Sequence, residues 1–314
     1  MAIMITGATG FLGRHLVRHL VEAGETDLVL MDAVPNRAAI ADIAHRVCLV
    51  PGDIRETTAL VDTIRKYRIE GIIHLAAFLG TGGIRNPIPS INVNLVGTNN
   101  VFEAARLSGV KRVVYMSSNA IYPERRTLDG PRFDEDDPPG PDATNLVYGA
   151  CKLFNEHIAR YYMEAFGLDP VGIRPTSVFG EGRGQRRGAP GDHFMVAPEL
   201  AYLGKPVTMP PAEQVSDWIY VRDAAEVFMR AYRVEEPAHR VLNMAGECRK
   251  SGEISEHLRA RFPEAPLSVS NEPLVMNSLL DTGRLRETLD FTPRYSVEEG
   301  IELYIEDVKR RESG

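Results

Sequence analysis

Several features that would narrow the class of this chain are scarce or missing. Cysteine occurs three times in 314 residues, at Cys48, Cys151 and Cys248. An odd number, far apart and without CxxC spacing, excludes a disulfide framework and a zinc knuckle and reads as free thiols in a reducing compartment. No run of about 18 apolar residues occurs, so there is no candidate membrane span. Basic excess is absent too. Lys and Arg number 36 against 43 Asp and Glu, a net charge of −7, which leaves no electrostatic footprint for nucleic acid. The N-terminal apolar stretch ends at Thr6-Gly7, too soon for the core of a signal peptide. These absences predict a cytoplasmic protein with no metal, nucleic-acid or membrane partner. Hydrophobic residues make up 44% and charged residues 25%, ordinary globular values that exclude a disordered chain and a coiled coil. The length suits about two domains.

Short apolar runs alternate with amphipathic ones. Strands are expected at 3–5, 27–31, 47–50, 71–75, 112–116 and 169–173, and helices at 11–23, 37–44, 58–67, 92–107 and 148–166. This alternation predicts an α/β fold, a doubly wound parallel sheet of Rossmann type with a smaller C-terminal substrate-binding region. The expected division is 1–174 with 222–243 for the cofactor and 175–221 with 244–314 for the substrate. Beyond Arg174 the pattern loosens. Residues 180–191 hold five glycines and four charged residues and read as a mobile loop. The last seventy residues read as short helices and one strand.

Residues 6–13 are TGATGFLG. Gly7, Gly10 and Gly13 follow a strand and open a helix. Gly7 permits the tight turn, Gly10 lets backbone N–H groups approach a pyrophosphate, and Gly13 lets the helix pack closely on the sheet. The helix N-terminus then faces an anion with its partial positive charge. Asp32 ends the second strand nineteen residues after Gly13. A carboxylate there accepts from both ribose hydroxyls and repels a 2′-phosphate, so NAD is expected over NADP. Arg37 is the residue able to change that preference. Tyr148 and Lys152 stand at i and i+4 of one helix and share a face. An ammonium near a phenol favours the phenolate, which can take a proton from a substrate hydroxyl while hydride leaves the same carbon. Ser118 ends the fifth strand, where an open α/β sheet faces its ligand crevice.

Together these residues resemble the extended short-chain dehydrogenase/reductases of the NAD-dependent epimerase/dehydratase family. Further marks are GDI at 52–54, HLAA at 74–77, NLVGT at 94–98, MSSNAIY at 116–122, YGACK at 148–152, RPTSVFG at 174–180 and SDWIYVRDAA at 216–225. The resemblance implies Phe11 and Leu12 at the cofactor loop, Asp53 and Ile54 flanking the adenine, and Leu75, Ala76 and Ala77 along the cofactor. It implies Tyr148 as catalytic base, Lys152 on the nicotinamide ribose, Ser118 beside Tyr148, and Pro175 near the nicotinamide. Asn94 reads as mainly structural. The family's helices at 92–107 and 148–166 pair in a homodimer, for which Val101, Leu107, Phe154 and Ile158 offer apolar surface.

Departures narrow the chemistry. Sugar dehydratases of this family carry an acidic pair where this chain has Asn119 and Ala120. Nucleotide-sugar binders usually carry Asn at the position of Ser177 and Arg at that of Ser216. The loop at 78–87 looks like that of members oxidising small unlinked substrates, such as threonine dehydrogenase and sugar-acid dehydrogenases, although the Thr-Thr pair of a threonine site is absent from 188–193. Arg183, Arg186, Arg187 and His193 are candidates to meet a carboxylate or phosphate. The expected activity is NAD-dependent oxidation of a secondary hydroxyl on a small sugar-like or hydroxy-acid substrate. Nucleotide-sugar epimerisation and non-catalytic NAD binding are the alternatives.

Overall fold

The computed structural model describes residues 2–78, 87–123, 132–140, 146–183, 192–272 and 279–313. Its strands are β1 (Ala2–Thr6), β2 (Leu28–Asp32), β3 (Cys48–Pro51), β4 (Ile69–His74), β5 (Arg112–Met116), β6 (Asp169–Pro175), β7 (Ser177–Phe179), β8 (Val207–Met209), β9 (Val215–Tyr220), β10 (Val241–Met244), β11 (Glu247–Lys250) and β12 (Leu267–Val269). Seven of them form one sheet in the order β10-β6-β5-β4-β1-β2-β3, every pairing parallel. Strand order reverses between β1 and β4, which places the ligand crevice of a doubly wound sheet at the carboxyl ends of these two strands.

The central strands are buried on both faces, which is why they read as nearly unbroken apolar runs. Successive residues enter opposite cores. Ile3, Ile5, Leu30, Ile73 and Val114 pack toward the helices Phe11–Glu22 and Val221–Arg233. Met4, Val29, Met31, Ile72 and Val113 pack toward Thr57–Tyr67 and Thr98–Ser108.

Three features depart from the sequence reading. β10 adds a seventh parallel strand beside β6; it is only four residues long and carries the fully buried Asn243, so it leaves little periodic signal. Two strands, not one, lie among the described residues of the last seventy. β11 is Glu-Cys-Arg-Lys and becomes a strand by antiparallel pairing with β9, and β12 pairs with β8. The helix expected at 92–107 is interrupted by a π-helical turn over Ile91–Gly97, a feature frequent at functional sites. Within that turn Asn94 is fully buried. Its amide accepts from Phe78 N–H at 2.8 Å and donates to Phe78 O at 2.9 Å, which ties the end of the β4 loop to the helix.

Candidate active site

At the β1–helix turn the constraint is backbone against backbone. Gly7 adopts φ +68°, and a Cβ there would stand 2.7 Å from the Cα and N of Ala76. At Gly13 a Cβ would stand 2.3 Å from the Gly7 carbonyl oxygen and 2.7 Å from that of Ala8. The close approach at Gly13 is therefore to the loop itself, where the sequence reading put the sheet. Gly10 is the N-cap of the helix Phe11–Glu22, and a Cβ there would meet nothing within 4 Å except the Gly7 carbonyl oxygen. This is a cradle with room for an anion above a helix N-terminus. Leu12 is buried in the core and Phe11 is half-buried.

Asp32 is buried and held from within. Thr9 donates to its Oδ2 through its hydroxyl at 2.7 Å and its N–H at 3.2 Å, and Val34 N–H donates to Oδ1 at 3.2 Å. Oδ2 is filled by the two Thr9 donors, while Oδ1 keeps an acceptor position for a ribose hydroxyl. Thr9 was not singled out in the sequence, because its task is visible only once β2 lies beside β1. Arg37 is exposed at the start of the turn capped by Asn36.

Across the crevice, Asp53 is held by Arg55, which donates through its backbone N–H at 2.9 Å and its guanidinium Nε at 2.9–3.0 Å. This pairing holds the Asp53 carboxyl below its ordinary range. The Ile54 side chain sits in the core, as does Leu75, whereas Ala76 and Ala77 are half-buried at the mouth. His74 spans the interior behind them, with Nδ1 2.6 Å from the Thr6 hydroxyl and Nε2 3.0 Å from that of Thr98. Thr98 spends its hydroxyl hydrogen on Asn94 O at 2.9 Å, so Nε2 donates to Thr98 and Nδ1 accepts from Thr6. Burial, then the Lys152 charge, pushes His74 down to about 3. It is a neutral structural bridge.

Ser118, Tyr148 and Lys152 come together. Ser118 Oγ accepts from Ala120 N–H at 3.1 Å, capping the turn Asn119–Ile121, and lies near enough to the Tyr148 side chain to favour its ionised form. Lys152 is 1% exposed. Its ammonium lies 5.4 Å from the centroid of the Tyr148 ring and donates to Met116 O at 2.6 Å. Burial pushes Tyr148 up to about 12, against which Ser118 and the Arg183 charge act. Burial likewise pushes Lys152 down to about 8. The lowered phenol expected from the Tyr–Lys spacing is thus not a property of the protein alone, because desolvation disfavours both charged forms. Pro175 is half-buried at the end of β6, alongside β10.

Of the loop expected at 180–191, residues 184–191 lie outside the described residues, and the entering segment is tied down at Glu181. The Glu181 carbonyl accepts from Arg14 at 3.1 Å and from His15 at 2.9 Å, and the Glu181 carboxylate meets Arg311 at 2.9 Å. These bonds bring Arg183 over the Phe11 ring, 5.3 Å from its centroid. Arg186, Arg187, the loop at 79–86 and the side chain of His193 lie outside the described residues. Cys48, Cys151 and Cys248 are free thiols. Among the described residues no group of His, Cys, Asp and Glu is placed to hold a metal, and no helix is long and apolar enough to cross a membrane.

The parallel sheet, the glycine turn and the buried Asp32 define a Rossmann-type dinucleotide-binding protein, and the cradle and free acceptor position fit such a cofactor. The chain belongs to the NAD dependent epimerase/dehydratase family, whose model matches residues 3–245, and as a member of it the protein is NAD-dependent. It is 29% identical to the UDP-glucose 4-epimerase of Mycolicibacterium smegmatis over 318 residues, 98% of each chain. It is 30% identical to that of Halalkalibacterium halodurans over 239 residues, 72% of this chain and 69% of the relative. The crystal structure of a UDP-glucose 4-epimerase from Thermus thermophilus in complex with NAD superposes with a TM-score of 0.84 at 26% identity, covering 98% of this chain and 99% of that one.

Proposed function

We propose that this protein is an NAD-dependent oxidoreductase that takes hydride from a secondary hydroxyl of a small sugar-like or hydroxy-acid substrate. The observation that carries this reading is the burial of Tyr148 and Lys152 together beside Ser118, with the Lys152 ammonium 5.4 Å from the centroid of the Tyr148 ring. Tyr148 takes the hydroxyl proton as the carbinol carbon becomes a carbonyl. Ser118 steers the reacting oxygen, and Lys152 keeps a positive charge beside the phenol, opposing the effect of burial. NAD, when bound, supplies the hydride acceptor and a further positive charge. Gly7, Gly10, Gly13 and the N–H groups of Phe11 and Leu12 would hold its pyrophosphate, Asp32 its adenosine ribose, and Lys152 its other ribose. Arg183 is the proposed contact for an anionic group on the substrate. The cofactor side corresponds to 1–174 with 222–243 and the substrate side to 175–221 with 244–314.

A second reading, epimerisation of a nucleotide sugar, is favoured by the name UDP-glucose 4-epimerase carried by relatives that match nearly the whole chain. Electrostatics near β9 weigh against it. Ser216 is fully buried with no hydrogen-bond partner for its hydroxyl among the described residues. The neighbouring cations are engaged: Arg132 by Asp217 at 3.0 Å, and Arg249 by Glu253 at 2.9 Å and Glu298 at 2.6 Å. A buried diphosphate needs charge-assisted donors, and beside Ser216 both Arg132 and Arg249 are committed to carboxylates. Elimination has no acidic group at Asn119 or Ala120.

The deciding experiment incubates the protein with NAD and, separately, UDP-glucose, UDP-galactose, and a panel of unlinked sugars and hydroxy acids. Growth of NADH absorbance with an unlinked substrate supports the first reading. Interconversion of the two nucleotide sugars without net NADH supports the second and overturns the first.

Homodimerisation through the helices expected at 92–107 and 148–166 accompanies either reading. Val101 is fully buried and does not supply that surface, and Ile158 is half-buried against the same core. Leu107 at 46%, Phe154 at 47% and Tyr161 at 56% exposure supply it. Sedimentation equilibrium is expected to give a dimer, and Phe154→Asp a monomer.

A further inference from the structure

Behind Ser118, Tyr148 and Lys152 lies a buried polar chain that the proposed chemistry does not use. Glu156 stands one helical turn after Lys152, so both reach toward the same neighbour. Lys152 donates to the carbonyl of Met116 at 2.6 Å, and the next residue, Ser117, donates its hydroxyl to Glu156 Oε1. Consecutive residues at the end of β5, immediately before Ser118, are therefore gripped by consecutive turns of the helix that carries Tyr148. Arg174, immediately before Pro175, closes on Glu156 from the other side. Its Nε donates to Oε1 at 2.8 Å and its terminal nitrogen to Oε2 at 2.6 Å. The same guanidinium donates to the Tyr122 hydroxyl, which lies 3.0 Å from Asn243 Oδ1. The Asn243 N–H donates to Glu135 Oε1 at 2.6 Å. Ser117, Glu156, Arg174, Tyr122, Asn243 and Glu135 are all buried.

A helix and three strands can be fastened with apolar side chains at no loss of stability, and often with a gain. A buried ion pair at this location therefore asks for another role. Its carboxylate is flanked by two cations, Arg174 in direct contact and Lys152 one turn away, and Lys152 sits in an environment that disfavours its charge. We propose that Glu156, clamped by Arg174, is a positioning residue that acts through Lys152, keeping in register the end of β5 that receives the Lys152 ammonium and presents Ser118, and so aiming the ammonium for the cofactor. This rests on the reading that Lys152 contacts the bound cofactor. The coulombic pull of Glu156 on Lys152 also favours its charged form.

The test is a coupling cycle read by NAD binding, which needs no substrate. Glu156→Gln alone would leave Arg174 buried without its counter-ion and destabilise the fold, so the main variant is Glu156→Gln with Arg174→Met. NAD affinity is measured by calorimetry for wild type, Lys152→Ala, the pair variant and the triple variant, each first shown by thermal unfolding to be folded. Should the pair variant not fold, Glu156→Gln measured below its own unfolding temperature replaces it. The pair variant is expected to bind NAD about fivefold or more weakly than wild type, while the same change made in Lys152→Ala has no further effect. An equal loss in both backgrounds, or none in either, overturns the inference and leaves the role of Lys152 standing. Unchanged NAD affinity in Lys152→Ala would refute that role itself, and the inference with it.

Discussion

The two sides of the crevice are built by different physics. Around Gly7, Gly10 and Gly13 the site is backbone, set by a positive φ at Gly7 and by contacts at Gly7 and Gly13 that leave no room for a Cβ. Around Ser118, Tyr148 and Lys152 it is side chains whose charges are tuned by burial. The first side is a matter of shape and tolerates little change of geometry at any pH. The second is a matter of protonation and shifts with every charge brought near it. A binding surface can be made of the former alone; a proton acceptor requires the latter.

The comparison breaks most sharply at Tyr148. Tyr148→Phe is expected to lower kcat by about 10²–10⁴, with NAD affinity and unfolding temperature close to wild type, because only one oxygen is removed. Steady-state kinetics alongside calorimetric NAD binding check this, and near-full kcat would show that Tyr148 is not the base.

On the backbone side, Gly13→Ala forces a Cβ to within 2.3 Å of the Gly7 carbonyl oxygen. The expected result is the reverse pattern, a loss of about 1–3 kcal/mol of stability from overpacking together with weakened NAD binding, read by denaturant unfolding. A variant of wild-type stability would mean the turn relaxes at little cost.

A third measurement separates burial from local charge. Burial pushes His74 down to about 3 and His15 down to about 4, so both are neutral in the folded protein where the unfolded chain begins to protonate, near pH 6.5. The unfolded state then binds more protons, and stability must fall as pH drops from about 6.5 toward 4. The slope approaches about 1.4 kcal/mol per pH unit for each histidine. Unfolding curves between pH 7 and 5 test this, and His74→Gln is expected to flatten the slope by one histidine's share. An unchanged slope in that variant would place the proton uptake elsewhere.

The smallest effect concerns cofactor choice. Wild type is expected to prefer NAD over NADP by at least about tenfold, or about 1.4 kcal/mol. Asp32→Ala should erase most of that preference, as measured by competitive binding. Equal use of both cofactors by wild type would sever Asp32 from the ribose.

Much was legible before any coordinates. The glycine spacing, the acidic end of β2 and the six apolar runs from Ile3 to Ile173 are local signals, since a turn needing positive φ or a strand buried on both faces writes itself into neighbouring residues. By the same logic β10 and β11 were invisible. Asn243 and the Glu-Cys-Arg-Lys run adopt extended structure because β6 and β9 offer a free edge, and pairing partners distant in sequence leave no periodic trace. Local composition was also silent about the ties at the start of the 180–191 loop. Glycines and arginines suggest mobility, yet Glu181 is fastened to Arg14, His15 and Arg311, residues far away in the chain.

What the sequence by itself determined is the fold class, the family, and the residue types available to the site: a glycine turn, an aspartate, a serine, a tyrosine and a lysine. What only the tertiary structure decided is their state. The Tyr148 phenol goes up and the Lys152 ammonium down because folding buries both, and Glu156 meets Arg174 and Ser117 only when the helix packs against β5 and β6. Protonation follows desolvation and nearby charge, which depend on distances in space and not on separation along the chain.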